Sequence, residues 1–234
     1  MIALTMGLMI TVSLGYIMMG SRSTYRTQDA SARLQDTGRF AMEFIGRQLR
    51  SAGRTDITPL ASDGRVAFGD APINTADSSG TQLKVQYQLT DMGGQAIQDC
   101  NGAIAGITTS KIMNLDGTVA GHYGTVINTI SLDGQKQLQC NGNGGGSQPF
   151  AEKVEELQFR YTSDNATWTT VPANPVLAVE VCFRVRSINN GVANTAQNYK
   201  DCTGADHTPT DAYLRRSFTS VFALRNNLNA LPTP

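Results

Sequence analysis

A single helical pattern runs from Met1 to about Ala52, and everything else in the chain must accommodate it. Its first part, Met1–Gly20 (MIALTMGLMITVSLGYIMMG), carries no charge and no proline, and its polar side chains are Thr5, Thr11 and Ser13. About 20 residues at a rise of 1.5 Å cover the ~30 Å hydrocarbon core of a bilayer. The pattern then changes character. Ala41, Phe44, Ile45, Leu49 and Ala52 recur at i, i+3, i+4, i+8 and i+11, and Leu34 extends this stripe one heptad back. The other faces carry charges spaced to pair along a helix: Asp29 four residues before Arg33, Glu43 four before Arg47, with Arg39 reaching Glu43 from the other side. Such a helix is roughly 75–80 Å long, far beyond the three turns of a typical globular helix. The expected division is 1–24 as an apolar anchor half, 25–53 as an amphipathic half packed on a domain, and 54–234 as that domain.

A cleaved secretory signal would need a basic n-region and an A-x-A site, which Met1–Gly20 lacks, and the helical pattern continues past it. A simple one-pass anchor on an unrelated stalk is a further alternative. Orientation contains a conflict. Residues 21–54 hold Arg22, Arg26, Arg33, Arg39, Arg47, Arg50 and Arg54 against Asp29, Asp36 and Glu43, which the positive-inside rule would keep in the cytoplasm. The cysteines point outward instead, and a basic leader is expected upstream of Met1.

The chain has 234 residues, no net charge and 16% charged residues. The zero balance argues against a general polyanion-binding role. Beyond the helix, about 180 residues suffice for one domain, and a composition rich in Gly, Thr, Asn, Ser and Gln suits a loop-rich β domain outside the cytoplasm. Cys100, Cys140, Cys182 and Cys202 form no CxxC and have no histidine at zinc-site spacing. An even count in a tethered polar chain favours disulfides over reduced buried thiols. Of three connectivities, Cys100–Cys140 with Cys182–Cys202 is preferred, because each then closes a loop of Gly, Asn and Thr.

The helix should stop at Ala52-Gly53, where Gly53 suits a C′ position after Arg47 and Arg50. Residues 54–80 read as a linking loop. Thr81–Leu89 alternates through Leu83, Val85, Tyr87 and Leu89 as a half-buried strand. Residues 91–124 are Gly-rich and weakly patterned. Thr125–Leu132 and Gln137–Cys140 flank Asp133-Gly134 as a hairpin. Asn141–Ser147 (NGNGGGS) reads as a flexible loop; it lacks the Lys-Ser/Thr of a phosphate-binding P-loop. Val154–Thr162 alternates through Leu157, Phe159 and Tyr161. Val176–Ser187 alternates through Leu177, Val179, Val181, Phe183 and Val185, and Arg216–Arg225 closes the set with Phe218, Phe222 and Leu224. The expected fold is α+β: a long helix whose second half (Leu34, Ala41, Phe44, Ile45, Leu49) covers an antiparallel sheet of five or six strands.

A protruding apolar helix on a disulfide-bearing sheet resembles the type IV pilin family, and most of all its PilW branch of minor pilins. Met1–Leu4 (MIAL) resembles the continuation of the pilin start motif. Gln35–Ala41 (QDTGRFA) followed by Leu49–Gly53 (LRSAG) resembles the PilW signature Gly-Arg-Phe-Ala and Arg-x-Ala-Gly. Asp99–Gly102 (DCNG), Leu138–Cys140 (LQC), Val154–Tyr161 (VEELQFRY) and Phe222–Asn226 (FALRN) also fit. The family's early Glu and leader-cleavage Gly match no residue here, and Arg54-Thr55-Asp56 replaces an aromatic and Gly-Cys of some relatives. The resemblance implies a structural subunit of a type IV pilus, involved in pilus assembly and located at or near the tip. The implied partners are other pilin subunits through the helix and the inner membrane before assembly; any nucleic acid or surface ligand is undefined. The remaining alternatives are a type II secretion pseudopilin, a filament-forming major subunit and a pilus-borne adhesin or DNA-binding module.

Catalytic sets are not apparent. There is no GxSxG, and His122 (GHYG) and His207 (DHTP) read as turn and loop residues. No EF-hand spacing occurs, and no cofactor or metal is indicated. Asn165-Ala166-Thr167 matches a glycosylation sequon and reads as chance. The working element is therefore the helix, with Ala3, Gly7, Ser13, Gly15 and Gly20 as small residues that allow close helix–helix approach.

Overall fold

The computed structural model describes residues 2–54, 66–68, 71–88, 98–104, 108–114, 119–193 and 195–226. Met1 and much of the 54–80 linking loop lie outside these residues. Side chains of the helix are described from Met6 onward.

Helix α1 spans Ile2–Ser51 without a break. Leu34, Ala41, Ile45, Leu49 and Ala52 are buried, and Phe44 packs against the same core. The charged faces pair only partly as their spacing predicts. Asp29 and Arg33 meet at 3.0 Å. Glu43 instead takes Arg50, two turns on, at 2.8 Å, while Arg47 lies over the Phe44 ring. Among the described residues no helix is long and apolar enough to cross a membrane. Within the charge-free run that ends before Arg22, the part from Met6 onward is about 24 Å long.

Eleven strands follow among the described residues: β1 (Val66–Phe68), β2 (Gln82–Gln88), β3 (Thr108–Asn114), β4 (Val119–Leu132), β5 (Gln137–Gly142), β6 (Gly145–Glu152), β7 (Val154–Thr162), β8 (Ala178–Arg186), β9 (Tyr199–Lys200), β10 (Asp206–His207) and β11 (Arg215–Ala223). All pairings are antiparallel, but they do not make one sheet. β1-β3-β4-β5-β6 form one sheet, in which β2 also pairs with β4; β11-β8-β7 form a second; β9 and β10 make a short ribbon. The expected single sheet is thereby corrected, because the six strands legible in the sequence divide three and three between two sheets. The division falls at Lys153, whose φ of 59° lies in the left-handed region between the end of β6 and the start of β7. The sheets stay joined where the Phe159 N–H donates to the Gly80 carbonyl at 2.7 Å.

Two stretches that look unstructured in the sequence are strands. Residues 108–114 and 119–124 form β3 and the first half of β4, so the Gly121–Gly124 segment holding His122 is extended rather than a turn. Asn141–Ser147 forms the β5–β6 hairpin rather than a loose loop. Its turn is held from outside: the buried Asp99 carboxylate accepts from the Asn101, Ala103 and Gly144 N–H groups at 2.8, 3.1 and 2.9 Å.

The core lies where α1 crosses both sheets. Leu83, Val85, Val126, Ile130 and Leu138 come from the first sheet, and Phe159, Tyr161, Val179, Val181 and Phe183 from the second. Burial pushes the Tyr161 phenol pKa up, and its hydroxyl is satisfied by the Ser79 and Gln82 carbonyl oxygens at 2.9 and 3.2 Å.

Candidate assembly surface

The N-terminal half of α1 offers apolar surface in every direction. Met6, Leu8, Met9, Ile10, Val12, Leu14, Tyr16, Ile17, Met18 and Met19 are all exposed. Its hydroxyls do not interrupt that surface. Thr11 Oγ1 donates back to the Gly7 or Leu8 carbonyl at 3.1 or 2.9 Å, and Ser13 Oγ to the Met9 carbonyl at 2.8 Å. A Cβ added at Gly7, Gly15 or Gly20 would meet nothing within 4 Å. The structure therefore leaves open space at Gly7, Gly15 and Gly20, and Ser13 is exposed with its hydroxyl turned back to its own helix; the Ala3 side chain lies outside the described residues. An apolar patch of this extent on a soluble surface marks a membrane or protein contact.

The second half of α1 is clamped. Glycine in a helix interior is less favourable than alanine by about 1 kcal/mol, yet Gly38 and Gly46 both sit there. Each receives a ring from β11: a Cβ at Gly38 would collide with the Phe218 ring, and one at Gly46 would lie 2.7 Å from Phe222 Cε1. Phe218 stacks in turn on Phe183 of β8, with centroids 5.5 Å apart. On the other flank Phe44 stacks on Phe150 of β6 at 4.3 Å.

The end of the helix brings distant sequence motifs together. Gly53 has φ +68° and donates its N–H to the Gln86 carbonyl at 2.9 Å. Asn226 Nδ2 reaches the Arg50 and Ala52 carbonyl oxygens at 3.3 and 3.1 Å, supplying donors to a helix end whose carbonyls need them. Any side chain at Gly53 would strike the Asn226 carbonyl and Pro72. So LRSAG and FALRN, far apart in the chain, meet at one joint. One turn earlier, Gln48 accepts from Nδ2 of the buried Asn128 at 2.7 Å, while Asn128 Oδ1 accepts from the Cys100 N–H at 3.1 Å. Asn128 also lies 3.4 Å from the hydroxyl of Tyr87, whose pKa burial raises.

The structure pairs Cys100 with Cys140 and Cys182 with Cys202. Each such bridge stabilises by about 2–4 kcal/mol. Around the second lies a polar cluster that sequence reasoning missed. Arg184 pairs with Glu156 at 2.5 Å and Glu155 at 3.3 Å; Arg215 pairs with Glu155 at 2.8 Å and Asp211 at 2.6 Å. Arg184 and Arg215 also stack on Tyr199, and Arg186 stacks on Tyr213. Glu156 accepts from the Cys202 N–H at 3.1 Å. Its hydrogen bonds with Arg215 hold the Asp211 carboxyl down to about 2, and the same bonds raise the Arg215 pKa. The cluster ties the 188–214 segment to the outer face of the second sheet. The members come from β7, β8, β9 and β11 and from the segment before β11 that holds Asp211 and Tyr213, and only the outward alternation of Glu180, Cys182, Arg184 and Arg186 hinted at a charged face.

His207 joins this segment in β10, where its Nε2 lies 2.7 Å from Asp201 Oδ2 and its ring stacks on Tyr199. Thr203 first, and His207 next, hold the Asp201 carboxyl below its ordinary range. The Asn165 sequon sits in an exposed turn shaped by Asp164, whose carboxyl is lowered mainly by the Thr167 and Ala166 N–H groups. Among the described residues no group of three or more His, Cys, Asp and Glu side chains could hold a metal ion.

A groove of about 1120 Å³ runs beside α1, between the ends of β6 and β8. Arg26, Asp29, Ala30, Arg33, Asp36 and Phe40 form its helix wall. Near its upper end Thr27 ties the helix to the head: its Oγ1 donates to the Val192 carbonyl oxygen at 2.9 Å.

Residues 130–226 match the model of the PilW family, described as Type IV Pilus-assembly protein W. That span runs from β4 to the Asn226 joint and contains the second disulfide and its polar cluster. Among solved structures the chain is similar to a type IV-like pilin from Thermus thermophilus, at 13% identity and a TM-score of 0.46, covering 83% of this chain and 98% of that one. No curated protein matches.

Proposed function

We propose that this chain, a PilW-like pilin, is a minor subunit of a type IV pilus that helps start pilus assembly at or near the tip. The observation that carries the reading is the contrast within α1. One half is clamped into the head by β11 and Asn226. The other exposes its large apolar side chains from Met6 to Met19, and a Cβ at Gly7, Gly15 or Gly20 would meet nothing within 4 Å. In this reading residues 1–24 form the anchor and filament-core half, 25–53 the packed half, and 54–234 the head.

Before assembly the apolar half lies in the inner membrane as a single pass with the head outside the cytoplasm, residues 1–5 adding to the stretch from Met6. During assembly it leaves lipid for the helices of neighbouring subunits. Lipid tails and helix interiors differ little in apolarity, so close packing must supply the preference, and Ala3, Gly7, Ser13, Gly15 and Gly20 are placed for it. The two disulfides suit a head that works outside the cytoplasm. The role is structural, without catalysis.

Deleting the gene should reduce surface pili while the main subunit remains stable in the membrane. Restoring the full chain should recover piliation, and a chain with Gly7, Gly15 and Gly20 each changed to Leu should not. Normal piliation in the deletion strain contradicts the assembly role.

A further inference from the structure

The charge-free run of α1 ends on two arginines that the head does not neutralise. Arg22 and Arg26 stand one turn apart on the helix, a spacing at which like charges repel. Both are exposed, and among the described residues neither takes part in an ion pair or a side-chain hydrogen bond. Asp29, the nearest acid along the helix, is taken by Arg33 at 3.0 Å. Together with Met19, Ser23, Gly191 and Val192, the two arginines line a recess of about 230 Å³ between helix and head. The hydrogen bond from Thr27 to the Val192 carbonyl, one residue past Arg26, fixes the head wall of this recess.

We propose that this recess binds the phosphate of an anionic phospholipid in the leaflet of the inner membrane that faces the head. This rests on the anchor reading above, which sets Arg22 where hydrocarbon gives way to headgroups. Met19, Arg22 and Arg26 share one helix face at i, i+3 and i+7. Their order matches that of a lipid: an apolar side chain toward the acyl chains, then two guanidinium groups toward the phosphodiester. Guanidinium groups form paired, charge-assisted hydrogen bonds with phosphate oxygens. Two cations with no acid between them favour a headgroup of net negative charge. A zwitterionic headgroup would bring its own cation among the arginines. Tyr25, 72% exposed at the same depth, suits the same interface.

The site gives Arg22 and Arg26 a use on the side of the membrane from which the positive-inside rule would withhold them. A lipid held in the recess fixes the depth of the apolar half and the rotation of the helix while the subunit waits in the membrane. Because the arginines sit at the end of the apolar run, the lipid is given up when that half leaves the bilayer.

Native mass spectrometry of the full chain, released from nanodiscs of equal phosphatidylglycerol and phosphatidylcholine, tests the site. The expected result is a phosphatidylglycerol retained on the chain in preference to phosphatidylcholine. Arg22→Gln or Arg26→Gln should lower that preference about fivefold, and the two together about twentyfold. Both side chains are exposed, so the head should melt unchanged in each variant. Adding Thr24→Arg and Gln28→Arg to the double variant restores the charge at the same depth on the opposite face of the helix, and the preference should stay low. Full recovery there overturns the recess in favour of general surface charge. Equal retention of the two lipids, or retention indifferent to Arg22 and Arg26, also overturns the site and leaves the anchor reading standing. Inorganic phosphate that binds the full chain in detergent as tightly as phosphatidylglycerol does overturns the lipid as the source of the phosphate. A chain that fails to float with vesicles of the same composition overturns both the site and the anchor reading.

Discussion

The two halves of α1 use glycine for opposite ends. Gly38 and Gly46 lie under the rings of Phe218 and Phe222, and space for a Cβ is absent. Gly7, Gly15 and Gly20 lie in open space. In the clamped half the missing side chain is filled from the same chain; in the bare half nothing of this chain fills it. The comparison teaches that a helical glycine becomes informative only through what occupies its vacant side. Under the proposed function it also separates stability, assigned to the second half, from assembly, assigned to the first.

The largest expected effect lies at the centre of the clamp. Ile45→Ala empties a fully buried position and should lower unfolding free energy by about 2–5 kcal/mol in denaturant titrations. Gly38→Ala should follow. Alanine favours the helix by about 1 kcal/mol, but the Phe218 ring must move, and the net expectation is a loss of about 1–3 kcal/mol. Gly15→Ala is the matched control in the bare half. It should leave the melting of the head unchanged and weaken packing against the helices of neighbouring pilus subunits. If both glycine changes behave alike, the division within α1 is wrong.

Asn226→Ala removes a side-chain amide from the last carbonyls of the helix and should lower stability by about 1 kcal/mol. Faster amide exchange at Ser51–Gly53 would localise the loss to the joint. The smallest effect concerns pH. The folded Asp211 carboxyl titrates at about 2, below its ordinary value, because Arg215 bonds its charged form. A depressed carboxylate stabilises above its unfolded pKa and stops doing so as pH falls through the folded one. Asp211→Asn should therefore melt slightly below the parent at neutral pH. The gap should close as pH falls from about 4 to about 2.

Much of this architecture was legible in the residues. The stripe of Leu34, Ala41, Ile45 and Leu49 announced the covering face of the helix, and β2, β7 and β8 showed strict alternation. Pairing was harder to read, because alternation shows that a strand has an inner face but not which strand lies beside it. Thus β7, β8 and β11 looked like continuations of the sheet that Lys153 in fact ends. The β5–β6 hairpin was hidden because NGNGGGS has no apolar side chains to alternate; its order comes in part from Asp99, about forty residues earlier. Glu155, Arg184 and Arg215 are separated by about thirty residues each, so no local spacing could reveal their cluster. The helical glycines at 38 and 46 were a signal available from the start, since each is unfavourable without a partner.

The account's central claim is that the head needs the second half of α1 and is indifferent to the first. Thermal unfolding of residues 25–234 and of residues 54–234, each beside the full chain in detergent, tests it most directly. The account predicts that the head of 25–234 melts as it does in the full chain, whereas 54–234, deprived of Leu34, Ala41, Ile45 and Leu49, shows no cooperative transition. A cooperative, equally stable 54–234, or a 25–234 that unfolds without the apolar half, would contradict it.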